Sequence, residues 1–432
     1  MFRKISDEIL LHATCYDNLR VLCKTVGHRL SGTPAAAKAV VWGEKTMRET
    51  GADKVYLQPV NVPCWYRGRE SLQLKIDNKY KEVNALSLGN SQGTDGKTLE
   101  AAVVMVYDFE EFRKLQDNEV KGKIIFFNYR FRQDFVSTFE AYGDAVGYRW
   151  NSPNIAVKKG AAGVIIRSMS TGEDDVPHTG SMHYEDSVTK IPEMALGNYT
   201  ANELEKACKK GTVTARMKSE CHMMKDMVPS YNVIGEIKGS ETPERIITVG
   251  GHLDSWDIGE GAHDDGAGCV QSMEVLRAIK ALGIKPKCTI RAVLFMNEEN
   301  GNKGGWAYLD SAKARHEQHV IAIESDAGGF SPRGIGLEMS AARKEQIRRY
   351  ASLFLPYNVY DFTQEEGGVD ISPIHLKMDV PAAGLLPDSQ RYFDYHHTAS
   401  DVFENVNHRE LKLGAVTMAQ LIYLVSEHGL MQ

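Results

Sequence analysis

The stretch RIITVGGHLD, residues 245–254, decides the fold because it joins an apolar strand pattern to a glycine pair and two polar side chains. Residues 245–249 contain β-branched side chains that favour a strand, and the glycine pair ends the run. Ligands of open α/β sheets bind beyond the carboxyl ends of the strands. The stretch therefore predicts a strand of such a sheet, with His252 and Asp254 at the position of a functional site.

Predicted helices and strands alternate after this strand, which is the pattern of an α/β protein. The predicted elements are helix 266–281, strand 289–296, helix 304–314, strand 320–323, strand 382–386 and helix 409–427. In the first of these helices, Cys269, Met273 and Leu276 form an apolar stripe that predicts burial against the sheet. The predicted fold class is therefore α/β, with a doubly wound mixed sheet.

The N-terminal part of the chain predicts two helices followed by a strand. In the first helix Ser6 is the expected N-cap, and Gly27 is the expected end. In the second helix Thr33 is the expected N-cap and Pro34 occupies the first helical position, where proline is favoured. Alternating apolar residues at 55–62, interrupted by a proline, predict a strand at the edge of a sheet.

A chain of 432 residues exceeds the size at which one hydrophobic core stops growing, so two domains are expected. The pattern of apolar and polar residues changes over residues 70–225, where strand-like runs such as 102–106 and 123–127 are separated by long polar loops. We therefore predict a β-rich domain over 70–225. It is inserted into a discontinuous domain made of residues 1–69 and 226–432.

Composition narrows the classes of function. The formal net charge of -6 and the pI of about 6.2 disfavour a nucleic-acid partner, which would require a clustered basic surface. The sequence predicts no membrane span, and no apolar segment typical of a signal peptide opens it. The seven cysteines are scattered and never form a C-x-x-C pair, so neither a zinc knuckle nor a dense disulfide framework is expected.

Acidic and imidazole side chains follow the predicted strands in turn. They are His252, Asp254, the pair Asp264-Asp265, the pair Glu298-Glu299, Asp326 and the pair His396-His397. One histidine on a loop is usually a surface or hydrogen-bonded residue. Several such groups, each beyond a strand of the same sheet, instead indicate one shared site.

The types of side chain in this set restrict the metal that it could bind. Imidazole and carboxylate ligands without a thiolate favour zinc, whereas oxygen ligands alone would favour magnesium or calcium. Even two imidazoles and three carboxylates from this set would exceed the needs of one tetrahedral zinc ion. We therefore predict two Zn²⁺ ions that share a bridging carboxylate and a bridging water or hydroxide.

The order and content of the motifs resemble the zinc aminopeptidase and glutamate carboxypeptidase superfamily over essentially the whole chain. The resemblance rests on the motifs HLDSWD at 252–257, DDG at 264–266, NEE at 297–299, ESD at 324–326 and HHT at 396–398. It implies a doubly wound sheet of the zinc-exopeptidase type. It also implies a peptidase with two zinc ions.

The resemblance implies a role for each proposed metal ligand. His252 and Asp326 would hold one zinc ion. Glu299 and His397 would hold the other, and Asp264 would bridge the two.

It further implies that Glu298 is the general base, which takes a proton from the attacking water and passes it to the leaving amine. Asp254 would accept a hydrogen bond from His252 and fix its tautomer. His396 stands where glutamate carboxypeptidases have a tyrosine that stabilises the oxyanion. Both an oxyanion role and a simple packing role stay open for His396.

The inserted segment resembles a protease-associated domain, through residues 121–125, 159–165 and 191–192. In the family this domain narrows the cleft, which implies short peptide substrates and an exopeptidase or dipeptidase. The resemblance also makes a homodimer plausible. A periplasmic or secreted location is suggested by the family, and a cytoplasmic one stays open.

Two questions of function stay open at this point. It is undecided whether the enzyme cleaves from the amino or the carboxyl end of a peptide. An acid could bind a free α-amine, and the candidates are Glu366 and Asp370. An arginine could bind a free carboxylate, and the candidates are Arg130, Arg132 and Arg391. The alternative to an enzyme is a metal-free binding or receptor protein on the same fold. Such proteins lack the ligand set and the basic glutamate that this sequence contains.

Overall fold

A computed structural model describes residues 1–431 and divides the chain into two compact units. The first unit comprises residues 1–62, 227–392 and the chain from Asp401 onward. The second unit comprises residues 63–226 together with the short segment 393–400. The predicted insertion at 70–225 falls within 63–226, but the sequence did not predict that residues 393–400 group with it.

The strands are, in chain order, β1 (Lys54–Val62), β2 (Trp65–Tyr66), β3 (Glu70–Ile76), β4 (Lys79–Val83), β5 (Ala85–Ser87), β6 (Leu99–Val106), β7 (Ile124–Phe127), β8 (Gly163–Arg167), β9 (Glu193–Leu196), β10 (Thr214–Ser219), β11 (His222–Met223), β12 (Val228–Ile237), β13 (Thr242–His252), β14 (Cys288–Phe295), β15 (Gln318–Glu324), β16 (Pro332–Glu338) and β17 (Ala382–Pro387). The α-helices are α1 (Phe2–His12), α2 (Cys15–Val21), α3 (Pro34–Glu49), α4 (Phe109–Lys114), α5 (Asp117–Val120), α6 (Thr138–Ala145), α7 (Gly147–Trp150), α8 (Ser152–Val157), α9 (Asn198–Lys210), α10 (Ala267–Ala281), α11 (Lys303–Ala314), α12 (Ala341–Arg348), α13 (Ala351–Phe354), α14 (Ser372–Met378), α15 (Tyr392–Tyr395) and α16 (His408–His428). Short π-helical turns at Leu22–Val26 and Ala262–Gly266, and short 3₁₀ turns at Leu355–Tyr357 and Phe403–Asn405, complete the helical elements.

The first unit is built on one seven-stranded mixed sheet, in the order β1-β12-β14-β13-β15-β17-β16. Strands β14, β13, β15 and β17 run parallel to one another, whereas β1, β12 and β16 pair antiparallel with their neighbours. The predicted edge strand is confirmed as β1, which pairs with β12 along its whole length. The predicted mixed α/β fold is thereby confirmed.

Helices cover both faces of this sheet because its strands are apolar on both sides. Along β14, Ala292 and Leu294 face one core, and Val293 and Phe295 face another. The first core includes residues of α3, α10 and α16, and the second includes residues of α11 and α14. Burial on both faces explains why the parallel strands read as continuous apolar runs instead of alternating ones.

The prediction for the first N-terminal helix is wrong in its start and in its continuity. Helix α1 begins at Phe2, and Ser6 is buried inside it instead of capping it. The chain then leaves the helix at Ala13, and the next amide, Thr14 N–H, donates to the Glu274 carboxylate over 3.1 Å. A tertiary hydrogen bond therefore sets this break, and no local signal predicts it. The second predicted helix is confirmed, with the Thr33 hydroxyl as its N-cap.

The second unit contains an eight-stranded sheet in the order β4-β3-β10-β6-β7-β8-β9-β5, and β2 pairs separately with β11. Its central strands β6, β7, β8 and β9 are parallel, and the flanking strands are antiparallel. Apolar residues pack on both faces of this sheet, so it has two cores of its own. The strands predicted at 102–106 and 123–127 belong to β6 and β7.

Within residues 1–431, each helix is too short or too polar to cross a membrane.

A buried ion-pair network lies under the first unit's sheet. The guanidinium of Arg291, on β14, donates to both carboxylate oxygens of Glu317 over 2.8 and 3.0 Å, and to Glu236 over 2.8 Å. Burial alone would raise the pKa of Glu317, but hydrogen bonds from His319 and Arg291 lower it to about 2. The ionised carboxylate therefore favours the folded state.

We predict that Glu317→Gln lowers the free energy of unfolding by about 3 kcal/mol at neutral pH, because the folded pKa lies well below the ordinary value of 4.5. This contribution is fully present above the ordinary pKa and is lost as pH falls from about 4.5 towards 2. Urea unfolding at neutral pH and near pH 3 measures it. The control is Glu241→Gln, whose carboxylate is 62% exposed. A loss for Glu317→Gln that does not shrink with falling pH would contradict the assignment.

Candidate metal centre

The carboxyl ends of three parallel strands bring the predicted site residues of the first unit to one edge of the sheet. His252 is the last residue of β13 and lies in register with Phe295, the last residue of β14. Gly250 lies in register with Glu324, the last residue of β15. The residues that follow β14 and β15 therefore emerge beside His252, as the strand pattern predicts.

The imidazole of His252 is the centre of the cluster. Its Nε2 lies 3.1 Å from Oδ1 of Asp264, 3.2 Å from Oδ1 of Asp326 and 4.0 Å from Oε2 of Glu298. Its Nδ1 lies 3.0 Å from the main-chain oxygen of Asp254. Because a carbonyl can only accept, Nδ1 carries a proton, and Nε2 is the ring nitrogen that faces the carboxylates.

The adjacent residues Asp264 and Asp265 make different contacts. The carboxylate of Asp265 accepts the main-chain N–H of His252 over 2.9 Å and that of Gly268 over 2.8 Å. It therefore ties the end of β13 to the start of α10. The Asp264 carboxylate instead faces the His252 ring, and the Asp264 N–H donates to Asp401 over 3.1 Å. The position of Asp264 agrees with its predicted role as a metal ligand, and Asp265 also lies in a possible metal-binding group, with His252 and Asp326.

Gly251, near the end of β13, and Gly268, near the start of α10, are required for steric reasons. A Cβ atom on Gly251 would lie 2.3 Å from Oδ2 of Asp265, closer than two such atoms can approach. A Cβ atom on Gly268 would lie 1.9 Å from the main-chain oxygen of Ser325 and 2.5 Å from the Asp265 carboxylate. The Asp265 carboxylate therefore excludes a side chain at Gly251, and it does so together with Ser325 at Gly268.

Asp254 shapes the turn that carries the predicted base. Its Oδ1 accepts the N–H of Asn297 over 2.6 Å and the N–H of Glu298 over 3.1 Å. The sequence predicted that Asp254 accepts a hydrogen bond from His252. The acceptor is its main-chain oxygen, whereas its carboxylate lies 4.0 Å from His252 Nδ1 and holds the turn.

Glu299, the other acid of the pair after β14, is also held in place. Its Oε1 accepts the N–H of Trp256 over 3.1 Å, and its side chain is buried. Ligand atoms of His252, Asp264 and Glu299 lie within 4.8 Å of one another, and the same holds for His252, Asp265 and Asp326.

The electrostatics of the cluster call for a cation. Burial and the neighbouring carboxylates raise the pKa of Glu298 and of Glu299 well above the usual range. Burial lowers the pKa of His252, but Asp326 and Asp264 outweigh it and raise this pKa well above its ordinary value. Buried carboxylates at such close distances repel one another unless protons or metal ions neutralise them. The donor set therefore fits zinc, which takes imidazole nitrogen and carboxylate oxygen.

Arg29 supports the site and was not predicted from the sequence. It is fully buried, and its guanidinium donates to the main-chain oxygens of Leu253 over 2.5 Å, Glu260 over 2.7 Å and Gly261 over 2.8 Å. It thereby fixes the loop that connects His252 to Asp264. Its partners lie more than 220 residues away in the chain, so no local pattern marks it.

The sequence did not predict the supporting contacts of Asp401 and Glu324. It gave Asp370 a different role, as a candidate for contact with a substrate amine. The Asp401 carboxylate accepts the N–H groups of His263 and Asp264. The Glu324 carboxylate accepts the N–H of Ile371 over 3.0 Å, and burial and the nearby Asp326 raise its pKa to about 8. Asp370 is fully buried, which argues against its predicted contact with a substrate amine.

The predicted histidine pair lies in the second unit. The His397 Nδ1 is 3.3 Å from the main-chain oxygen of Thr179. The His396 ring stacks on the His397 ring at 3.5 Å and packs edge-on against Tyr142 and Phe393. These contacts favour the packing role for His396, and its oxyanion role stays a prediction.

Other candidates for substrate recognition have partners or partial burial. Arg130 donates to Glu205 over 2.7 Å, and Arg132 pairs with Asp134, so each has a carboxylate neighbour already. Glu366 is half-buried, and burial together with Asp326 raises its pKa to about 7. Arg391 is exposed.

The fold and the site together define the class of protein: an α/β protein with a candidate metal centre beyond the carboxyl ends of its parallel strands. Residues 232–422 match the model of peptidase family M28. The chain is also 34% identical to carboxypeptidase Q of Homo sapiens, over 95% of this chain and 85% of that protein. The chain therefore belongs to peptidase family M28 and is a peptide hydrolase.

Solved structures agree with this family. A peptidase M28 precursor from Shewanella amazonensis superimposes with a TM-score of 0.92 at 31% identity, covering 98% of this chain and 96% of that one. A zinc aminopeptidase from Bacillus subtilis, at 20% identity, shares the fold with a TM-score of 0.67, covering 94% of this chain and 93% of that one. The family resemblance inferred from the motifs is confirmed.

We predict that Asp254→Ala lowers kcat/KM for peptide hydrolysis about 10- to 100-fold, because the turn carrying Glu298 loses its acceptor. Asp254→Asn should retain much more activity, since the amide oxygen can still accept both N–H groups. Steady-state assays of both purified variants measure the difference. Equal losses in the two variants would show that the charge of Asp254 matters and its acceptor geometry does not.

Proposed function

We propose that this chain is a two-zinc exopeptidase that hydrolyses short peptides or dipeptides. The observation that carries the proposal is the arrangement around His252, whose Nε2 faces two carboxylates within 3.2 Å and a third at 4.0 Å. Carboxylates this close together repel one another without a cation, which favours a metal enzyme over a metal-free binding protein. The family membership supplies the reaction class, which is hydrolysis of peptide bonds.

We assign the zinc ligands as the motifs predict them. His252 and Asp326 would hold one ion, and Asp264 would be shared by both. Glu299 and His397 would hold the other ion, where His397 is assigned from its motif and from the family resemblance. When bound, the zinc ions lower the pKa of a coordinated water and polarise the peptide carbonyl.

Glu298 takes the proton of the attacking water and passes it to the leaving amine. Its position supports this role. It lies further from His252 Nε2 than Asp264 and Asp326 do, and its main-chain N–H is fixed by Asp254. A carboxylate beside the ligands, but not among them, is free to exchange protons.

We assign the second unit to a protease-associated domain, on its resemblance to the family's insertion. A domain of that kind favours short substrates. The identity to carboxypeptidase Q supports release of a C-terminal residue, and aminopeptidase polarity is the alternative.

We predict that Glu298→Gln reduces kcat by several orders of magnitude and still binds two zinc ions, because Glu298 acts as a base. Glu299→Gln should instead lose zinc. Emission spectrometry gives metal content per chain, and a dipeptide assay gives kcat. A wild-type protein without bound metal and without activity would favour the receptor alternative. Two variants with equal metal content and equal activity would refute this division of roles.

We predict that the enzyme hydrolyses free dipeptides and fails on dipeptides with a blocked carboxyl group, because a carboxypeptidase must recognise a free C-terminus. An amino-blocked dipeptide should be cleaved. The two blocked substrates have the same dipeptide sequence and differ only in which end is blocked, so their rates of cleavage are directly comparable. Loss of cleavage with amino blocking alone would overturn the carboxypeptidase polarity in favour of an aminopeptidase.

A further inference from the structure

Thr179 meets His397 twice within the second unit. The Thr179 N–H donates to the main-chain oxygen of His397 over 3.0 Å. The main-chain oxygen of Thr179 lies 3.3 Å from Nδ1 of the His397 ring. The two contacts together fix both the backbone and the ring of His397 against one residue of the loop between β8 and β9.

Gly180, the next residue in this loop, leaves the space that the contact needs. Its φ is +129°, and a Cβ atom there would lie 2.6 Å from Nδ1 of His397 and 2.4 Å from Nη1 of Arg149. Any side chain larger than hydrogen would therefore push His397, Arg149 or both out of place. Backbone strain at this φ would add to the clash.

Buried polar groups hold the loop in position. Arg149 is 5% exposed, and its Nε donates to the main-chain oxygen of Ser181 over 3.1 Å. Its Nη2 donates to the hydroxyl of Tyr142 over 2.6 Å. The Thr179 hydroxyl donates to the main-chain oxygen of Ser87 over 3.1 Å. The loop is thus anchored on both sides of Gly180 by groups other than His397.

We infer that residues 179–181 form a positioning device for His397, in which the Thr179 carbonyl accepts the Nδ1 proton and leaves the Nε2 lone pair for a metal ion. A carbonyl cannot donate, so this contact selects one tautomer of the ring. The Nη1 of Arg149 lies 3.5 Å from the same Nδ1, and the shorter contact to the carbonyl sets the proton. The inference rests on the proposed role of His397 as a zinc ligand.

The test is metal binding by the full-length Gly180→Ala variant. Chelator-treated protein is titrated with Co²⁺, whose absorption spectrum reports the ligand geometry, and then with Zn²⁺. We expect one of the two metal equivalents to bind about 10- to 100-fold more weakly and the Co²⁺ spectrum to change, because outer partners of a metal-bound histidine have effects of this size. Metal affinity is read without reference to activity.

Gly122→Ala is the matched control. Gly122 lies in the same unit and also has a positive φ, +72°, but a Cβ atom there would meet nothing within 4 Å. This variant carries the backbone cost of alanine without the clash. Circular dichroism and thermal unfolding establish that both variants are folded. If Gly180→Ala does not fold, Tyr142→Phe replaces it, because it removes one anchor of Arg149 and should weaken the same metal equivalent several-fold.

His397→Ala separates this inference from the proposed function. If His397→Ala loses one metal equivalent but Gly180→Ala binds metal as tightly as Gly122→Ala, the positioning role is overturned and the two-zinc proposal stands. If Tyr142→Phe has to replace Gly180→Ala, metal binding equal to that of the wild type overturns the role in the same way. If His397→Ala keeps both equivalents, His397 is not a ligand and the inference falls with that assignment. A wild-type protein that binds no metal would overturn both.

Discussion

The carboxylate of Asp265 holds together the part of the molecule on which the site depends. It accepts the main-chain N–H groups of His252 and Gly268, so the end of a strand and the start of a helix share one buried acceptor. A buried carboxyl group without such hydrogen bonds would be costly, and burial raises the pKa of Asp265 well above its usual range. The direction of the His252 side chain follows from this tie. The glycine at 251 is also a consequence, because the carboxylate occupies the space of a side chain.

A second constraint is the concentration of negative charge beside this anchor. Asp264, Asp326 and Glu298 approach one imidazole within 4.0 Å, and burial raises the pKa of Asp326 and of Glu298. The fold can maintain this arrangement because the acids follow separate strands, whose pairing is set by apolar cores on both faces of the sheet. The apolar cores thus offset the destabilisation of the folded state by the clustered carboxylates. A bound cation would make the cluster stabilising.

The sequence predicted most of the first unit's fold and proposed candidate site residues that lie together there, because both depend on patterns that are local in the chain. The roles of these residues stay predictions. Acids and a histidine come after the ends of apolar strands, so strand order alone predicts that His252, Glu298 and Asp326 lie close together. Contacts between distant segments were beyond this reasoning. The break after α1 depends on a bond from Thr14 to Glu274, and the loop after β13 depends on Arg29, more than 220 residues before its partners. Neither Thr14 nor Arg29 belongs to a periodic or spaced sequence pattern from which its role could be predicted.

The two histidines proposed as ligands belong to different units, but each ring is oriented by a main-chain carbonyl near its Nδ1. Nδ1 of His252 lies 3.0 Å from the carbonyl of Asp254, and Nδ1 of His397 lies 3.3 Å from the carbonyl of Thr179. A carboxylate would also fix the tautomer, but it would add an anion to an already repulsive cluster around His252. A carbonyl orients the ring at no cost in charge. The Asp254 carboxylate is consequently available to hold the turn of Glu298, so one residue orients a ligand with its backbone and a base with its side chain.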